Sequence, residues 1–318
     1  MALGGSIHDT VWGFFTDKLG TVESKFYCHL TEMQKPMRKR IFSSLLVLLL
    51  LGGGCAASHK SVNQRIFDVN RSTETTLAKV LPQLKKDRII LVGEHHTDEN
   101  HHRMQLEVIR MLHEAGVKVA VGMEMFRRDS QPELDLWVAG KIDEAAFEKI
   151  YDANWSFPWS LYSPILLYAR DNRIPVIGLN VPSDITRQVA RSGYQSLSED
   201  QKGYLGNVAC RVDKEYMAFI RRAFGGHGHG DMNFLYFCEA QMVWDTVMAV
   251  TALDYIAQHP DTVMVILAGT GHVRKQAIAT QISNRATIPL AVFLPEVPGS
   301  IEKDLVDNKD ADYIWMIP

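Results

Sequence analysis

Four side chains able to bind a metal or move a proton, Glu94, His96, Glu124 and His272, follow directly on short apolar runs far apart in the chain. Two of them close Gly-x-x-His segments, Gly93-Glu94-His95-His96 and Gly269-Thr270-Gly271-His272. Imidazole and carboxylate donors meeting at one point suit zinc, manganese, iron or cobalt, and the same groups serve as acids and bases on water. The competing reading makes each a hydrogen-bonded polar residue that closes a strand. Their coincidence at run ends favours a shared site. Gly93, Gly269 and Gly271 are expected to let the backbone turn sharply and approach a ligand.

Other residues could extend this set. His95, His101 and His102 follow in the same stretch, with Asp98 as an N-cap. Gln241 and Asp245 stand four apart in an apolar helical pattern, where a carboxylate needs a partner, and an Asp that accepts a histidine N–H would fix its ring. His227 and His229, in the glycine-rich loop Phe224–Gly230, could offer an axial imidazole, although such loops are commonly just mobile. Trp155, Phe157, Trp159, Tyr162 and Tyr168 either line an apolar cavity, with Tyr162 offering oxygen to iron, or pack a core.

The runs that would position these groups are 88–92, 117–121, 174–178, 263–268 and 288–293, continuous rather than alternating, as in strands covered on both faces. The spacing predicts a helix from Asp98 to a stop at Gly116, and another from near Asp231 to before Pro260. The expected fold is α/β: a mostly parallel central sheet flanked by helices, with a helical lid or subdomain over about 132–230 in one domain, 72–318. Catalytic or binding groups at the carboxyl ends of parallel strands are where such sheets build a crevice.

The N-terminal region is of another kind. Met37-Arg38-Lys39-Arg40, the apolar Ile41–Leu51 and Gly52-Gly53-Gly54-Cys55 read as a signal peptide over 37–54, with Cys55 acylated in a lipobox. The apolar run is short of the roughly 18–20 residues that cross a bilayer. Residues 1–36 are expected to be an upstream extension, with translation starting at Met37, and 55–71 a tether. The implied location is the bacterial cell envelope, lipid-anchored to the outer membrane and facing the periplasm. A net charge of -3 offers no basic face for nucleic acid. Cys210 and Cys238 are left to pair or remain free thiols. Nucleophile-elbow, P-loop and zincin motifs are absent, and Arg274 replaces the third glycine of a dinucleotide fingerprint.

Gly93-Glu94-His95-His96, His101-His102 with Gln105, Gly122-Met123-Glu124, Trp159 with Tyr162-Ser163-Pro164, Leu179-Asn180, Gln241 with Trp244-Asp245, and Gly269-Thr270-Gly271-His272 occur in one ordered series. Together they resemble the ChaN-like haem-binding lipoproteins of the Tiki and erythromycin-esterase-like superfamily, over about 85–295. The resemblance implies an α/β fold, haem as ligand, haems stacked between two subunits, a role in haem or iron uptake and tyrosine ligation, for which Tyr162 is the candidate, beside His95, His227 and His229. The Tiki branch implies an alternative, a divalent-metal-dependent hydrolase using Glu94, His96, Glu124 and His272. A pure partner-binding scaffold is the third reading. Of these, haem binding is expected over enzyme activity.

Overall fold

A computed structural model describes residues 64–206, 208, 210–223 and 233–316. The extension, the signal peptide, Cys55, most of the tether, and His227 and His229 lie outside the described residues. The strands are β1 (Arg65–Asp68), β2 (Thr73–Thr76), β3 (Ile89–Glu94), β4 (Lys118–Arg127), β5 (Val176–Asn180), β6 (Thr262–Gly269), β7 (Leu290–Pro295) and β8 (Tyr313–Trp315). The α-helices are α1 (Leu77–Leu84), α2 (Glu99–Glu114), α3 (Gln131–Val138), α4 (Glu144–Asn154), α5 (Trp159–Asp171), α6 (Ser183–Ser192), α7 (Glu199–Tyr204), α8 (Lys214–Ala223), α9 (Phe234–Gln258), α10 (Thr270–Val273) and α11 (Thr280–Ser283).

All eight strands form one sheet in the order β2-β1-β8-β7-β3-β6-β4-β5. The run from β8 to β5 is parallel throughout, and only β1 pairs antiparallel, with β2 and β8. Every residue of β3 and β6 is buried, which explains why these strands read as unbroken apolar runs. Alternate residues serve opposite layers. Ile89, Leu91, Met264 and Ile266 pack under α6 and α9, while Ile90, Val92, Val265 and Leu267 pack under α1 to α5. The span expected to form a lid or subdomain thus contributes helices to both outer layers, and α8 joins α9 in a small separate cluster through Tyr216, Phe219, Phe237 and Met242.

All five apolar runs are strands. The two helices occur too: Asp98 caps α2 by accepting from Asn100 N at 2.8 Å, and the chain leaves α2 through Gly116 at φ +78°. Asn233, rather than Asp231, caps α9. The tether expectation needs correction at its end, because Arg65–Asp68 is a strand whose Ile66 is fully buried and paired with Trp315. Four residues carry too little periodicity to announce a strand whose partner lies at the other end of the chain. Cys210 and Cys238 are free thiols. No helix among the described residues is long and apolar enough to cross a membrane.

Between Met123 and Arg127 the register of β4 against β5 shifts, and Gly178 lies against the displaced backbone. A Cβ there would overlap the Arg127 carbonyl oxygen and stand 3.2 Å from Phe126 O. Backbone cannot give way as a side-chain tip can, so Gly178→Ala is expected to destabilise by about 2–3 kcal/mol. Denaturant unfolding measures this, and a change within about 0.5 kcal/mol would contradict the close approach.

Candidate functional site

The sheet order decides which groups meet. Strand β6 enters between β3 and β4, so the carboxyl ends of all three lie side by side. Glu94 ends β3 opposite Gly269, the end of β6, and Glu124 follows the last β4–β6 pair, Met123 with Leu267. Gly269 has no side chain to fill the space between its neighbours. The point where its Cβ would stand lies 3.1 Å from His96 Nε2 and 3.7 Å from Glu124 Oε2. Glu124 Oε2 accepts from Gly269 N at 2.7 Å, and Asn180 at the end of β5 donates to the Glu124 carbonyl at 2.8 Å.

Each imidazole is held from behind by a buried carboxylate. His96 Nδ1 donates to Glu94 Oε1 at 2.6 Å, and Tyr162 OH donates to the same oxygen at 2.5 Å. Glu94 Oε2 lies 3.2 Å from His102 Nε2 on α2. On the other side His272 Nδ1 donates to Asp245 Oδ1 at 2.7 Å, and Tyr216 OH of α8 donates to Oδ2 at 2.6 Å. Occupying Nδ1 in both rings turns Nε2 toward Glu124, with His272 Nε2 3.7 Å from Glu124 Oε1. Trp155 and Phe157 pack on His96, and Trp244 on His272.

Charge follows from this geometry. Burial alone would lower both imidazoles, but the Glu94 hydrogen bond and charge hold His96 above its ordinary value. Against the same burial, the Glu124 charge and the Asp245 hydrogen bond hold His272 up to about 9. Burial would raise Glu94, and hydrogen bonds from His102 and His96 instead hold it well below the usual carboxylate range. His101 is pushed down to about 4 chiefly by burial, and its Nδ1 accepts from His95 N at 2.8 Å, so it closes the loop after β3. His95 is half-buried, and its imidazole is lowered by burial.

The structure thus brings Glu94, His96, Glu124 and His272 together, with Asp245 behind His272 as its helical position suggests. Gln241 is buried on the same helix, its Oε1 without a hydrogen-bond partner. Three expectations change. The first concerns the metal: among the described residues no group of three or more His, Cys, Asp or Glu side chains is arranged to hold an ion, and Glu94 is engaged by His96, His102 and Tyr162. Tyr162 is fully buried with its hydroxyl on Glu94, so it anchors the site rather than offering oxygen to haem iron. Gly93, Gly269 and Gly271 take no positive φ, and Gly269 serves by closeness, not by turning. Tyr216 was not legible, for nothing in Lys214–Ala223 marks it; only the need of a buried Asp245 for a second donor points there.

A protein family described as haem-binding uptake, Tiki superfamily, ChaN matches residues 80–282. The chain belongs to the ChaN family. Its fold is similar to a solved ChaN of Campylobacter jejuni, described as binding haem cofacially, at TM-score 0.59 and 18% identity, covering 80% of this chain and 96% of that one. An erythromycin esterase variant in its open conformation is more distantly similar, at TM-score 0.45 and 13% identity, over 69% of this chain and 72% of that one. Among curated proteins, RETICULATA-RELATED 5, chloroplastic, of Arabidopsis thaliana is 24% identical over 283 residues. That match takes in 80% of this chain, which spans only 38% of the length of that relative.

Haem is the ligand named for the family that this chain matches. His96, Glu124 and His272 are 7%, 5% and 8% exposed, and both imidazoles are edged by aromatic rings.

Because its pKa is raised, the His272 ion pair contributes stability fully below its ordinary value of 6.5, and loses it as pH rises through about 9. In Asp245→Asn the His272 midpoint should fall toward 6.5, read by imidazole NMR titration. An unchanged midpoint would remove Asp245 from the account.

Proposed function

We propose that this protein binds haem in the cell envelope, anchored by lipid at Cys55 to the outer membrane, and serves haem or iron uptake. The observation that carries this reading is the family match over 80–282, which spans the sheet from before β3 to beyond β6. Haem is held with His95, His227 and His229 as candidate iron ligands and a second copy of the chain covering its other face. Titrating the purified protein with haemin should give a saturable Soret shift and a rise in mass by analytical ultracentrifugation. Tyr162→Phe should leave the shift intact, whereas replacing His95, His227 and His229 together by Ala should weaken it at least about tenfold, a loss of about 1.4 kcal/mol. Absence of a saturable shift in the unaltered protein sinks the reading.

The paired couples favour a second reading, a hydrolase. Glu94–His96 and Asp245–His272 present two Nε2 atoms toward Glu124, an arrangement that suits a base and an acid acting on one bond. In this reading one imidazole takes a proton from water while the other, protonated, donates to the leaving group. Ester and peptide substrates assayed against His272→Ala decide it: a loss of about 10²-fold or more supports catalysis at the crevice, and equal rates reject it.

A further inference from the structure

At the opposite, amino-terminal edge of the parallel strands lies a cavity of about 450 Å³ between α1, the starts of β3 and β7, and the β1–β2 turn. Its wall carries three carboxylates, Asp68, Asp87 and Asp312, beside Tyr313. Two of them are neutralised locally. Arg71 pairs with Asp68 at 3.2 Å, and Lys275 with Asp312 at 2.6 Å. Asp87 has no such cation: it is 4% exposed, and its Oδ2 is buried without a hydrogen-bond partner. A buried carboxylate oxygen left unsatisfied costs free energy that a bound donor recovers.

The rim is of opposite sign. Lys79 and Lys86 line the mouth, are exposed, and take no ion pair among the described residues. From this arrangement we infer that the cavity is a binding site for a small zwitterion, its primary ammonium on Asp87 and its carboxylate toward Lys79 and Lys86. Either charge alone meets half of the site. An ammonium supplies the N–H donors and the positive charge that Asp87 lacks, and a compact acid at the mouth meets two lysines with no other partner. Burial and then the neighbouring Asp312 charge push Asp87 up to about 6, as expected of a carboxyl group awaiting a cation. The site is separate from the crevice and independent of the haem reading.

The test is isothermal titration of the full chain with three matched probes: β-alanine, which carries both charges, propylamine, which lacks the acid, and propionate, which lacks the amine. β-Alanine should bind at least tenfold more tightly than either. Asp87→Asn keeps the shape and should weaken β-alanine at least tenfold, while the Lys79→Gln, Lys86→Gln double variant should reduce β-alanine to the level of propylamine. Thermal melts check that the variants remain folded, and the haemin titration serves as an independent control. No heat from β-alanine at millimolar concentration overturns the inference, as does equal binding by folded Asp87→Asn.

Discussion

The carboxyl edge of this sheet depends on the burial of two carboxylates, Glu94 and Asp245, directly behind two histidines. Removing a carboxylate from water is expensive, and donors offset that cost here: Glu94 Oε1 accepts from His96 and Tyr162 with His102 Nε2 3.2 Å from Oε2, and Asp245 accepts from His272 and Tyr216. These partners come from α2, α5 and α8 as well as from strand ends, so the site draws on both layers of the fold. Orientation follows from the same bonds. With Nδ1 committed, each Nε2 has one direction left, toward Glu124.

Topology supplies the convergence. A parallel sheet aligns its carboxyl ends along one edge, and the late insertion of β6 between β3 and β4 brings the second Gly-x-x-His segment beside the first. Glycine at the end of β6 then matters more than any side chain could, because it leaves the gap that His96 and Glu124 share. The two ends of the sheet divide the chemistry. One edge holds two carboxylates each engaged by a histidine and a tyrosine, and the other holds Asp87, whose Oδ2 has no hydrogen-bond partner.

The tyrosine that the family resemblance offers for iron is instead a hydrogen-bond donor to Glu94 inside the protein. The rings of Trp155, Phe157 and Trp244 edge the two imidazoles, so apolar side chains as well as hydrogen bonds enclose the network.

Much of the layout was legible in the sequence. Five apolar runs and two capped or punctuated helices are local features, set by burial on both faces and by backbone preferences, and they appear where expected. The meeting of Glu94, His96, Glu124 and His272 was legible as well, since groups at the ends of parallel strands must share an edge. The short strands β1, β2 and β8 were not, because their stability comes from partners distant in sequence. Nor were the roles: whether Tyr162 faces iron or Glu94, and whether Tyr216 touches the site at all, depends on which atoms packing brings within about 3 Å. Residue types and their order determined the donors and the edge they occupy, whereas tertiary structure alone decided which oxygen each donor satisfies, because hydrogen bonding is settled by distance and direction in the packed state.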